Sequence, residues 1–70
     1  MENLNAKQIA VINSKEAMKI IASEAKKVVA NKFNTTVEAV EIAYAAGNEH
    51  VQSMLANLMS KGINEAAKLI

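Results

Sequence analysis

Residues 47–62 read Gly47-Asn48-Glu49-His50-Val51-Gln52-Ser53-Met54-Leu55-Ala56-Asn57-Leu58-Met59-Ser60-Lys61-Gly62, one amphipathic period framed by the only two glycines of the chain. Val51, Met54, Leu55, Leu58 and Met59 fall at i, i+3, i+4, i+7 and i+8, which puts five apolar side chains on one helical stripe. Gly47 supplies the positive φ at which a preceding helix ends. Asn48 is a good N-cap, and Glu49 places a negative charge at the positive end of the helix dipole. Lys61 and Gly62 carry the stop signals of the other end. The stretch predicts a helix over about 49–61, entered through a sharp corner. Ile63 then packs under the turn, and Asn64 caps a last segment over 65–70 that ends on Leu69-Ile70.

Working outward, Thr35 and Glu38 have the Thr-x-x-Glu spacing of a capping box and predict a helix over 36–46. Val37, Val40, Ala43 and Tyr44 share one side of it, and Glu38 and Glu41 face outward. Asn34-Thr35-Thr36 separates that helix from a long one running from Ser14 to about Phe33. The stripe of the long helix is Ala17, Met18, Ile21, Ala25, Val28 and Val29, with Lys15, Lys19, Ser23, Lys26 and Lys27 mostly opposite. Residues 5–12 form a short first helix if Asn13-Ser14 breaks the path. Leu4, Val11, Met18 and Ala25 recur every seven residues, so one continuous helix from about 5 to 33 is the alternative. No repeat or strand-like alternation competes. The fold class expected is all-α: a small bundle of one long N-terminal helix plus two or three short helices. Residues 1–70 form a single domain, with 1–13 a separate short helix or arm in the first of these readings.

With 70 residues, 51% of them hydrophobic but only 3% aromatic, the core has to be built from Ile, Val, Leu, Met and Ala. One core of this size supplies about 3–5 kcal/mol at most, and there is no Cys to add a disulfide or a thiolate metal site. Unusually good helix packing or self-association remains, and self-association is the favoured of the two. The net charge is +1, and all eight basic residues are Lys. Without Arg there is no bidentate grip on base edges, so a nucleic-acid partner is disfavoured. No apolar run reaches the ~18–20 residues of a membrane span, and the start has no signal-peptide pattern, so a cytoplasmic setting without a membrane partner is expected.

Candidate sites are few. Glu49 and His50 are adjacent on a helix and point about 100° apart, so they do not face each other. A single His without Cys assembles no metal site within one chain. His50 is read first as a helix-end side chain and second as a ligand-binding one. Tyr44, the sole Tyr, either packs with its hydroxyl at the rim or stacks on a flat ligand. Lys26 belongs to a mild basic strip with Lys15, Lys19 and Lys27. That strip is either a solvated face or a weak phosphate contact. Candidate ligand-binding residues are therefore Tyr44, His50 and Lys26. Candidate interface residues are Met18, Ile21, Met54, Met59, Leu69 and Ile70. Ser14, Ser23, Ser53 and Ser60 have no base at triad spacing, and no phosphate loop is present. No catalytic residue, metal or cofactor is assigned.

The stretch VEAVEIAYAAGNEHVQSMLANLM (37–59) resembles the second and third helices of ubiquitin-associated-type domains, a three-helix fold shared by the N-terminal domain of elongation factor Ts. The likeness lies in Ala39 and Ala43, then Gly47-Asn48, then an apolar stripe. It covers about a third of the chain and lacks the Met-Gly-Phe-type loop of the ubiquitin binders. Ala43 and Gly47 also stand at the four-residue offset of helix-turn-helix motifs. The resemblance implies a compact helix pair over this third. The functional expectation is a non-enzymatic, homo-oligomeric helical binding protein: an inhibitor, adaptor, sequestering agent or assembly unit. It would work through a helical surface or an inter-subunit groove that holds a protein partner or a small ligand. The alternative is a three-helix module for a small ligand, a nucleotide or, weakly, nucleic acid.

Overall fold

A computed structural model describes residues 5–70. Its four helices are α1 (Ala6–Asn13), α2 (Lys15–Lys32), α3 (Val37–Ala45) and α4 (Glu49–Ala67). Each begins on a side chain that accepts from a free amide of its first turn. Asn5 accepts from the Gln8 amide at 2.8 Å while the Gln8 side chain accepts from the Asn5 amide at 2.9 Å, a reciprocal capping box. Ser14 is extended (φ −89°, ψ 110°), and its hydroxyl accepts from the Ala17 amide. That extended residue separates α1 from α2, so the continuous helix over 5–33 does not form. Leu4, the first member of its heptad, lies outside the described residues.

Between α2 and α3 the cap is one residue later than the spacing predicts. Asn34 adopts φ +57°, and the Thr35 amide donates back to the Ala30 carbonyl at 2.8 Å. Thr35 thus closes α2 in the manner of a Schellman turn. Thr36 is left to cap α3 through the Ala39 amide at 3.1 Å. The α3–α4 corner follows the sequence reading. Gly47 has φ +87°, the Asn48 amide donates to the Ala43 carbonyl, and the Asn48 side chain accepts from the Val51 amide.

The stop at Lys61-Gly62 does not occur, and this overturns the expectation of one long N-terminal helix followed by short ones. α4 continues through Gly62 and Asn64 to Ala67, so its 19 residues match the 18 of α2, with α1 and α3 at 8 and 9. No single long N-terminal helix stands apart. The physical reason is packing. A Cβ on Gly62 would lie 2.8 Å from Ile21 Cγ2, so Gly62 is where α4 comes close to α2. The loss of about 1 kcal/mol in helix propensity is offset by that contact.

The core is one cluster of Ala25, Val29, Ala30, Val40, Val51 and Leu55, flanked by half-buried Val37, Ala43, Met54, Leu58 and Met59. Val11 and Ala67 are also buried, and α1 packs against both α2 and α4. Among the described residues, nine large apolar side chains are exposed: Ile9, Ile12, Ile20, Val28, Phe33, Ile42, Tyr44, Leu69 and Ile70. Only five, Val11, Val29, Val40, Val51 and Leu55, are buried. No helix among the described residues is long and apolar enough to cross a membrane.

The two glycines have opposite requirements, which thermal or urea unfolding followed by circular dichroism separates. Gly47→Ala meets no atom within 4 Å and costs about 1 kcal/mol through its positive φ alone. Gly62→Ala also destabilises by about 1 kcal/mol, because the stiff Ile21 side chain cannot yield enough. With Ile21→Ala already in place, Gly62→Ala is expected to change sign and stabilise, since only the gain in helix propensity remains.

Candidate functional site

Helical spacing brings three elements to one groove. Ala22 and Lys26 come from α2 at i, i+4, and Glu41 and Tyr44 from α3 at i, i+3. Gln52, Leu55, Ala56 and Met59 come from α4. The groove holds about 520 Å³, a volume typical of small-molecule sites. Leu55 and Met59 give it an apolar floor, since both belong to or pack on the core. Its lip is polar. Lys26 Nζ lies 2.8 Å from Glu41 Oε2, and Gln52 Nε2 donates to the Tyr44 carbonyl at 3.2 Å. Tyr44 is half-exposed at the edge.

Two of the three candidate ligand residues, Tyr44 and Lys26, therefore share one groove, and the third does not. His50 borders a smaller hollow of about 270 Å³ with Phe33, Thr35, Ala43 and Asn48. It is exposed, and its side chain makes no hydrogen bond or ion pair among the described residues. The basic strip is also partly neutralised. Lys26 is paired with Glu41, and Lys27 lies 3.7 Å from Glu24. Among the described residues no three potential metal ligands converge.

The candidate interface residues divide in the same way. Met54 and Met59 are half-buried against the core, Met18 is half-buried, and Ile21 lies under Gly62. Leu69 and Ile70 are exposed. Asn64 caps nothing; its side chain accepts from Gln8 Nε2 and ties α4 to α1. Sequence reasoning assigned Val28 to the buried stripe and passed over Ile20, Phe33 and Ile42, all of which face solvent. The signal for Ile20 was available: it stands one position off the stripe defined by Ala17, Ile21 and Ala25.

No family model, no curated protein and no solved structure matches this chain. The likeness of residues 37–59 to ubiquitin-associated-type domains thus stays a shared local pattern, two helices joined through Gly-Asn.

The Lys26–Glu41 pair is 34% and 49% exposed at its two side chains, so solvent screens it and it contributes less than about 1 kcal/mol. Glu41→Gln is expected to lower the unfolding midpoint only slightly. High salt should reproduce most of that loss in the unchanged protein, checked by urea titration in low and high salt.

Proposed function

We propose that the protein is a non-enzymatic helical binding protein that works as a homo-oligomer in the cytoplasm, as an assembly or adaptor unit. One observation carries the reading: more large apolar side chains are exposed than are buried, nine against five among the described residues. Scattered apolar surface is ordinary in a monomer. Here the core is small: among the described residues Val29 alone is wholly enclosed, and three of the eight buried ones are Ala. Such a core leaves the chain near the limit of independent stability, and association supplies the missing burial.

A second reading is favoured by the groove between α2, α3 and α4. Its apolar floor and polar lip suit a small amphipathic ligand lying against Tyr44, with Lys26 and Gln52 at hand for its polar end. The two readings are compatible, because the groove belongs to each subunit.

Native mass spectrometry together with sedimentation equilibrium tests the first reading. The expected result is a symmetric oligomer whose melting temperature rises with protein concentration, as it must when assembly stabilises the folded state. A monomer with a concentration-independent melting temperature would remove it. A retained small-molecule mass would identify the second reading directly.

A further inference from the structure

The start of α1 and the end of α4 enclose a groove whose chemistry differs from that of the Tyr44 groove. It holds about 650 Å³, and Lys7, Lys61 and Lys68 line it, with Glu65 as its only carboxylate. Three positive charges thus face one negative charge, in a chain whose net charge is only +1. Lys68 lies 3.4 Å from Glu65, and both side chains are largely exposed, so solvent weakens that pair. Lys7 and Lys61 have no ion partner among the described residues.

Hydrogen bonding adds a second, independent asymmetry. Asn5, Gln8 and Asn64 also line the groove. The Asn5 side-chain oxygen accepts from the Gln8 amide, and the Gln8 side-chain oxygen accepts from the Asn5 amide. A backbone N–H can only donate, so these two bonds fix which end of each carboxamide is the oxygen. Gln8 Nε2 then donates to Asn64 Oδ1. All three carboxamide oxygens are occupied in this way, while Asn5 Nδ2 and Asn64 Nδ2 have no acceptor among the described residues. The last carbonyls of α4 are engaged as well: Glu65, Ala66 and Ala67 accept from the amides of Lys68, Leu69 and Ile70. Asn5 also marks the positive end of α1, whose first turn carries no acidic residue.

We infer that this α1–α4 groove binds a small multivalent oxyanion, a linear polyphosphate that is either free or the phosphate chain of a nucleotide. The groove has spent its acceptors internally and keeps its donors, so the complementary ligand is rich in charged acceptor oxygens. Ammonium groups on two different helices suit several phosphates rather than one, and the volume lies in the range of small-molecule sites. A nucleic-acid duplex fits less well, since the chain has no Arg and its net charge is near zero. The inference does not depend on self-association.

The test is isothermal titration calorimetry of the full chain with inorganic tripolyphosphate at low salt, with NMR of the Asn5 and Asn64 side-chain amides. Binding of one ion per chain is expected, weakening as salt rises. Lys7→Gln and Lys61→Gln should each raise the dissociation constant about tenfold. Lys19→Gln removes the same charge from an exposed position on α2 outside the groove and should leave the constant unchanged. Asn64→Asp keeps an oxygen for Gln8 Nε2, so the tie between α1 and α4 survives, but it replaces a donor by a negative charge and should abolish binding. Helical circular dichroism verifies that each variant is folded. Adenosine triphosphate separates the two sources: affinity equal to that of tripolyphosphate supports a site for the phosphate chain alone, and tighter binding supports a nucleotide site. If neither compound binds at low salt, the inference falls. It falls equally if Lys19→Gln weakens binding as much as Lys7→Gln and Lys61→Gln, because the attraction would then belong to the whole surface.

Discussion

Gly62 leaves room for Ile21, and that close approach sets how α4 lies on α2. A methyl group on Gly62 would lie 2.8 Å from Ile21 Cγ2, so the helices meet here through a bare backbone surface on one side. The small residues Ala25 and Ala30 continue the same economy of volume along α2. With the two longest helices held together in this way, Val29 becomes the most enclosed side chain, and Val40, Val51 and Leu55 close around it from α3 and α4. α1 then lies against both long helices, secured at its start by the Gln8–Asn64 hydrogen bond.

Two unlike flanks follow from that single contact. α2 and α4 each carry side chains to either side of the line where they meet. On one side α3 adds Glu41 and Tyr44 to make a groove with a polar lip. On the other α3 is absent, and Ile20 and Val28 are exposed beside Ile21 and Leu58. The difference between the two sides is thus topological: the short turn at Asn34 and Thr35 delivers α3 to one flank only.

Most of the local punctuation was legible in the sequence, because capping is short-range chemistry. Asn48, Ser14 and the Gly47 turn act where their types and spacings place them. The stripe from Val51 to Met59 faces the core as its period requires. What the sequence concealed depends on tertiary contact. A Lys-Gly pair is an end signal when a chain is considered alone, and only the presence of Ile21 makes Gly62 a packing residue within a continuing helix. Asn34 takes the left-handed conformation at the end of α2, a place usually held by Gly but open to Asn as well. The shift of the cap from Thr35 to Thr36 follows from it. For the candidate site, spacing along one helix is visible but the pairing of helices is not. Tyr44 and Lys26 come together, while His50, only six residues from Tyr44, is carried to another hollow by the turn at Gly47.

Tyr44 has one more consequence, which is optical. The chain has no Trp, so this single phenol dominates its near-ultraviolet emission. Its ring stands half in solvent at the edge of a groove rather than inside the core. The intensity of a phenol is set by quenching groups near the ring rather than by the polarity around it, and the Glu41 carboxylate stands one turn away on the same helix. The light the protein emits therefore samples the outer edge of α3, not the Val29 core.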